Sequence, residues 1–466
     1  MVCQTRRHFL KTTALLGASA SVGFSLTGCQ ENDDNESANL RFAVLSDLHV
    51  YDISLGEEGA AFESYVASDR KMLVQSTEIL SAMVEKLLEV NGLQAVLIPG
   101  DLTKDGELVC HNKATSLLQP LRDAGIAVFV VPGNHDINNP DAVSFSGETT
   151  TPVESVTADK FANIYQDFGY DAAIARHDAS LSYVAEPVEG VWLIGLDSCK
   201  YSEEDNAESP ETSGQLTPDL LDWVSDQLSA AQAQNKTVFG MLHHGVVPHF
   251  GSQPDFFSEY LIDDYETVGK QLAAGGLNLV FTGHFHAQDI ASADYNKDGS
   301  LVMYDVETGS VVTSPCPFRL IDLDTATGSM NIVSTDIDSI DSMDDFATYK
   351  ETFIYTGMEN LYKSMLPATL EQMGVTLSDD ELETLEMLAA ALHVAHYKGD
   401  ESPEQTTLAT LTQMINSGDT TTAYMGSKLY QLAVDDGLAD NSVSLSPWSE
   451  NTALIQRWLN HPRQTA

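Results

Sequence analysis

Imidazoles, carboxylates and one amide recur in this chain at spacings that suit metal chemistry. Asp47 and His49 stand one residue apart in SDLH, Asp101 follows a glycine in GD, and Asn134, His135 and Asp136 are consecutive in GNHD. Two more segments complete the set: HHG, with His243 and His244, and GHFH, with His284 and His286. Nitrogen and oxygen donors without a thiolate form a borderline-to-hard ligand set, suited to Mn, Fe or Zn rather than to Ca or Mg alone. So many donors exceed what one tetrahedral ion takes. Two ions sharing a carboxylate, at a separation of roughly 3.5 to 4 Å, fit better.

These segments must be brought together, and the pattern around them says how. Each follows a short apolar run: RFAVLS (41–46), AVLIP (95–99), VFVVP (128–132), VFGML (238–242) and LVFT (279–282), with VWLIGL (191–196) a further run. Continuous apolar runs separated by helical stretches read as strands buried on both faces, the core of an α/β sheet. The carboxyl ends of strands in such a sheet line the ligand crevice, so the polar residues are expected to converge there. On an extended segment an i, i+2 pair points to one side, so Asp47 with His49, and His284 with His286, could each grip one small object. Thr217-Pro218 looks like a cap and first turn for a helix whose Leu220, Leu221, Val224 and Leu228 share a face. Residues 300–335 read as strands with turns, expected in a second sheet. Beyond about residue 336 the texture is helical: Phe346, Tyr349 and Phe353 keep helical spacing, and Ser378 with Glu381 resembles a capping box. Residues 336–466 are therefore expected to form an all-helical ancillary domain after a catalytic domain at 40–335.

The 466 residues carry 69 acidic and 23 basic side chains, formally −46. Such a surface repels nucleic acid and anionic headgroups over about a Debye length, roughly 8 Å at physiological salt, so nucleic acid is not an expected partner. At the N-terminus, Arg6 and Arg7 followed by a small-residue apolar run resemble a twin-arginine export signal. Leu26-Thr27-Gly28-Cys29 looks like a lipoprotein processing site, which implies a signal peptide at 1–28, acylation of Cys29 and attachment of an exported protein to a lipid bilayer. Residues 29–39 would then be an acidic tether. Cys110, Cys199 and Cys316 remain, with no CxxC, so neither a disulfide framework nor a zinc-thiolate site is expected.

In its order, D-x-H, GD, GNHD, a histidine after an apolar strand and then GH-x-H, the set resembles the calcineurin-like metallophosphoesterase superfamily over roughly residues 40–335. The resemblance implies a four-layer α/β/β/α sandwich of two facing mixed sheets. It implies that Asp47, His49 and His286 hold one metal ion, that Asn134, His243 and His284 hold the other, and that Asp101 bridges them. His244 is the alternative to His243. The physical reason for such a pair of Fe, Mn or Zn ions is that two cations neutralise an anionic phosphate ester, while a water between them loses its proton near neutral pH and attacks phosphorus. His135 would then hydrogen-bond the phosphoryl group or protonate the leaving oxygen, with Asp136 orienting it. SDLH, GDLTKDGE (100–107) and GQLTPDLLDWV (214–224) look like the cyclic-nucleotide phosphodiesterase branch. A small phosphodiester is thus the first expected substrate. A phosphomonoesterase of the acid-phosphatase kind is second, and a surface binding protein without turnover is the rival from another class.

Two other patterns invite metal readings. DYNKDG (294–299) matches the opening of a calcium loop, with Asp305 at its twelfth position, but strand-like sequence follows and an Asp-Gly hairpin turn is expected. His393 and His396 lie one helical turn apart with no carboxylate at matching spacing, which favours core packing. Neither GxxxxGK[ST] nor GxSxG occurs.

Overall fold

Strands β1 (Asn39–Val44), β2 (Ala95–Pro99) and β3 (Ala127–Val131) run parallel and side by side. AVLIP of β2 is buried at every position, as the continuous apolar run requires of a strand covered on both faces. The helices Ser76–Leu88 and Leu108–Asp123 connect these strands and press Leu80, Met83, Leu87, Leu118 and Leu121 onto them. A small hairpin, β4 (Val143–Ser146) and β5 (Thr149–Pro152), stands apart from both main sheets. The computed structural model describes residues 39–445 apart from 203–205, 207, 208, 373, 375, 400 and 435–437, so the expected signal segment and Cys29 lie outside the described residues.

The second sheet takes β6 (Ala173–Arg176), β7 (Tyr183–Val188), β8 (Val191–Gly195), β9 (Thr237–Met241), β10 (Leu279–Thr282), β11 (Asp289–Asp294) and β12 (Val302–Glu307). Their order is β11-β12-β10-β9-β8-β7-β6, parallel at the centre and antiparallel at both edges. The chain then returns to the first sheet through β13 (Pro317–Asp324), β14 (Ser329–Asp336) and β15 (Ser442–Leu445), which gives the order β15-β14-β13-β1-β2-β3. Residues 300–335 are therefore split between the sheets and do not all join the second. Local strand signals cannot reveal this, because the pairing of β13 with β1 is antiparallel across some 280 residues.

The sheets face each other across a shared core. Phe42 of β1 stacks on Phe239 of β9 with ring centroids 5.3 Å apart, and meets Phe281 of β10 edge-on at 5.4 Å. Each such fully buried ring contributes about 2 kcal/mol by leaving water. On the outer face of the second sheet, the helices Pro218–Ala233 and Tyr265–Gly275 bury Leu220, Val224, Leu228, Val268 and Leu272. Thr217 caps the first of them by accepting from the Leu220 N–H at 3.3 Å. The architecture is a mixed α/β fold with two large mixed sheets between helical layers.

Four helices follow: Phe346–Gln372, Asp379–Lys398, Gln405–Ile415 and Thr420–Ala433. The second opens on the expected capping box, with the Ser378 N–H donating to Glu381 Oε2 at 2.9 Å and the Glu381 N–H to Ser378 Oγ at 3.4 Å. Their core includes Phe250, Phe285 and Ala287 from loops of the second sheet, and all of these elements belong to one compact unit. The late strand β15 departs from the all-helical expectation. Its four residues alternate in burial but are too short and serine-rich to stand out from turn sequence. Among the described residues no helix is long and apolar enough to cross a membrane.

Candidate metal centre

The sequence reading places the i, i+2 pairs on extended backbone, and here the structure corrects it. β1 ends at Val44 and β10 at Thr282, so both pairs lie in the loops beyond. Asp47 (φ 52°), His49 (φ 38°), Asp101 (φ 50°), His284 (φ 76°) and His286 (φ 70°) all occupy left-handed backbone. A non-glycine residue there costs roughly 1–2 kcal/mol, and such strain gathers where side chains must converge. Two glycines of the motifs have a steric reason. A Cβ on Gly133 would stand 2.1 Å from Asp101 Oδ1, and one on Gly283 would stand 2.4 Å from Asp47 Oδ2, so only glycine lets these loops pass the carboxylates.

Two overlapping groups of donors result, Asp47, His49, Asp101 and His286 in one, and Asp101, His243 and His284 in the other, with ligand atoms in each within 4.8 Å of one another. Asp101 belongs to both. Nε2 of His49 lies 3.2 Å from Nε2 of His286 and 3.5 Å from Asp101 Oδ2, and His286 Nε2 is 3.3 Å from Asp47 Oδ1. On the other side His243 Nε2 is 3.5 Å from Asp101 Oδ2 and 3.1 Å from Asn134 Oδ1.

The tautomers follow from the outer partners. His49 Nδ1 faces the Thr103 carbonyl at 3.3 Å and His243 Nδ1 faces the Pro99 carbonyl at 2.8 Å. A carbonyl only accepts, so Nδ1 carries the proton and the Nε2 lone pair turns inward, as a metal ligand requires. His284 Nε2 is buried with no hydrogen-bond partner. Burial holds the pKa values of His49 and His284 well below the ordinary value, which keeps both rings neutral. For His243 burial acts the same way, but the Asp101 carboxylate reverses it and lifts the pKa to about 9, so a metal ion would take the place of the proton on its Nε2. Inward lone pairs, an orphaned ring nitrogen and a shared carboxylate fit a dinuclear centre of the borderline metals.

Of the alternatives left open by HHG, His243 is the ring that turns to Asp101. His244 has Nδ1 2.8 Å from Ser198 Oγ and Nε2 2.9 Å from the Thr212 carbonyl, so both its nitrogens are engaged elsewhere. Burial and the neighbouring His243 depress its pKa to about 3.

His135 stands at the rim, 22% exposed, with Nε2 4.0 Å from Asp101 Oδ2. Its orienting carboxylate is not Asp136 but Asp105, whose Oδ1 lies 2.7 Å from His135 Nδ1. Asp136 is pointed the other way, and accepts from the backbone N–H groups of Leu102 (3.1 Å), Thr103 (3.0 Å) and Gly133 (2.9 Å) and from the Thr103 hydroxyl (2.9 Å). It ties the GD and GNHD loops together. Burial works against ionisation of Asp105, but Lys104 and His135 bring its pKa down to about 2. Burial and Lys71 lower the pKa of His135, and Asp101 and Asp105 outweigh them, so the net shift is upward.

A pocket of about 130 Å³ opens over these groups, and Arg70, Lys71, Thr212, Tyr260 and Tyr397 line it beside the metal-centre candidates. Arg70 hydrogen-bonds the Tyr397 side chain, and Lys71 lies 3.4 Å from Asp69. The sequence reading missed Asp105, Arg70, Lys71 and both tyrosines. Adjacent basic residues in so acidic a chain were a usable signal for Arg70 and Lys71. Asp105 lay concealed in an Asp-Gly pair that reads as a turn, and nothing local marks Tyr260 or Tyr397.

Elsewhere, DYNKDG forms the turn between β11 and β12. Asp294 accepts from the N–H groups of Asn296, Lys297 and Gly299, while Asp305 is committed to the N–H groups of Val246 and Val247 and the Thr282 hydroxyl. His393 is packed as expected, bonded to the Tyr362 hydroxyl at 3.0 Å and stacked on Phe285. His396 departs from expectation: Nδ1 lies 2.6 Å from Glu401 Oε1, a carboxylate supplied by the loop after its helix. Cys110, Cys199 and Cys316 are free thiols.

Comparison with known proteins bears on these motifs. The chain is 24% identical over 180 residues to a protein described as a probable cyclic nucleotide phosphodiesterase from Vesicomyosocius okutanii subsp. Calyptogena okutanii. That match covers 38% of this chain and only 57% of the relative's length. Among solved structures, a dimetal phosphatase from Danio rerio aligns with a TM-score of 0.43 and 16% identity over 64% of this chain and 96% of its own. A purple acid phosphatase from yellow lupin (Lupinus luteus) aligns with a TM-score of 0.40 and 13% identity over 64% of this chain and 52% of its own. The model of the calcineurin-like phosphoesterase family matches residues 40–288, just over half of the chain, and takes in every donor gathered around Asp101. By that match the chain belongs to the calcineurin-like phosphoesterase family.

Proposed function

We propose that this protein is a two-metal hydrolase of small phosphodiesters, a cyclic nucleotide or a similar ester. The observation that carries the reading is Asp101, shared by two donor groups at the floor of a pocket that also holds Arg70, Lys71 and His135. Two bound ions of the Fe, Mn or Zn class would supply Lewis acidity and lower the pKa of water toward neutrality. Asp47, His49 and His286 would hold one, Asn134, His243 and His284 the other, with Asp101 between them. Arg70 and Lys71 meet the non-bridging oxygens of the ester, where their fixed charge opposes the build-up of negative charge in the transition state. His135, anchored through Nδ1 to Asp105, presents Nε2–H to the leaving oxygen and donates its proton there.

Preference for a diester is supported by the likeness to a protein described as a probable cyclic nucleotide phosphodiesterase. A monoester is the second reading, favoured by the pocket's 130 Å³, well under the roughly 300–1,000 Å³ usual for ligand sites. Turnover of bis(p-nitrophenyl) phosphate and p-nitrophenyl phosphate by the Mn²⁺-loaded protein separates the two. A faster diester reaction is expected, and a strong preference for the monoester reverses the order. Tight metal binding with hydrolysis of neither ester would leave a binding protein.

A further inference from the structure

A second gathering of imidazoles and carboxylates lies between the edge of the second sheet and the C-terminal helices. Asp289 opens β11, His396 sits in the last turn of the helix Asp379–Lys398, and Glu401 follows that helix. One oxygen or nitrogen from each lies within 4.8 Å of the others. Their side chains are only 10%, 2% and 3% exposed, and none of the three lines the pocket over Asp101.

The proton inventory of this place does not close. His249, from the loop after β9, gives its Nδ1 to Asp289 Oδ1 at 2.6 Å, which accounts for one Asp289 oxygen. Asp305 is satisfied by two backbone N–H groups and a hydroxyl. His396 Nδ1 then faces two carboxylates at once, Glu401 Oε1 at 2.6 Å and Asp289 Oδ2 at 3.9 Å, and its one proton can serve only the nearer. Glu401 Oε2 is buried with no partner, while the other end of the His249 ring turns away, its Nε2 3.4 Å from Glu307 Oε2 and 3.6 Å from Asp305 Oδ1. A buried carboxylate with one oxygen lacking any donor is costly unless a cation faces it. Such an orphan calls for an explanation, and an ion is one of the few available.

We propose that Asp289, His396 and Glu401 form a third cation site, taking a divalent ion of the Zn²⁺ or Mn²⁺ class that clasps the C-terminal helices to the second sheet. Two carboxylates and one imidazole match the donor preference of those ions, and solvent can complete the shell. Donor atoms around tetrahedral Zn²⁺ stand roughly 3.4 Å apart, so separations of 2.6 and 3.9 Å at His396, and of up to 4.8 Å between the carboxylates, need shifts of up to about 1.4 Å. Tyr397, next in sequence to His396, lines the catalytic pocket, so the ion would also fix the helix end that delivers it.

The test counts ions and does not depend on hydrolysis. Full-length protein is stripped of metal, reloaded with Mn²⁺, freed of excess by gel filtration and assayed by plasma mass spectrometry. Glu401→Gln should hold one ion fewer per chain than wild type. The double variant Asp101→Ala with His243→Ala should lose the pair at the pocket and retain one ion. Equal counts in wild type and folded Glu401→Gln overturn the site, leaving a plain His–carboxylate network. A double variant that binds no ion overturns it too, and decides the matter alone should Glu401→Gln fail to fold. Failure of the dinuclear reading shows differently, as no loss of ions on the double substitution.

Discussion

Most of the donors around Asp101 stand on loops with left-handed backbone and open to a pocket, whereas Asp289, His396 and Glu401 have no positive φ and are largely buried. Similar residue types are thus held in two ways. Around the pocket, five residues accept an unfavourable φ so that donors from four strand ends meet at one carboxylate. Asp289, His396 and Glu401 show no such strain, because elements already packed for other reasons bring these side chains together. Strain marks the place where convergence must be imposed, and burial alone marks the place where it comes with the fold.

The sharpest way to break this comparison is to remove its shared carboxylate. Asp101→Ala is expected to lose metal at the pocket and to lower turnover at least about 10³-fold, since both ions lose a ligand and their common tether. Retention of both ions and of turnover would mean that Asp101 bridges nothing. Within the same cluster, His135 and Asp136 are neighbours in sequence with opposite tasks. His135→Ala should keep its metal and its melting temperature while turnover falls at least about tenfold. Asp136→Asn should chiefly lose stability, by about 2 kcal/mol in urea unfolding, because four donors would face a side chain with one accepting oxygen in place of two. A reversed pair of results would return the catalytic role to Asp136.

The narrowest effect, confined to acid pH, is expected at His111, an imidazole whose shift comes chiefly from burial. Burial lowers its pKa from 6.5 to about 4, and both nitrogens are bonded, to the Tyr165 hydroxyl and the Asp136 carbonyl. The folded state therefore binds a proton less readily than the unfolded chain, so the stability in question is complete above pH 6.5 and is lost as pH falls toward 4. In metal-free protein the loss across that window should approach about 3 kcal/mol and should be missing from His111→Gln. Identical acid profiles for the two proteins would show that His111 titrates normally.

Much of the sheet was legible because its evidence is local. AVLIP and LVFT match β2 and β10 residue for residue, since a strand buried on both faces must be apolar throughout. The edge strands β6 and β15 were not legible, being short and only partly buried, and neither was the return of β13 to the side of β1. At the centre, glycine before Asp101, Asn134 and His284 could be read as a motif, but the left-handed turns that make the motif work could not.

From the sequence by itself came the identity and order of the donors, because metal chemistry restricts which side chains can serve and strand ends restrict where they fall. Only the tertiary structure decided which of two adjacent histidines faces Asp101, which aspartate holds His135, and that Glu401 meets His396 beside Asp289. Each of those choices depends on the direction of a side chain relative to a partner far away in the chain or across a turn. Direction is set by packing between elements, and no local spacing encodes it.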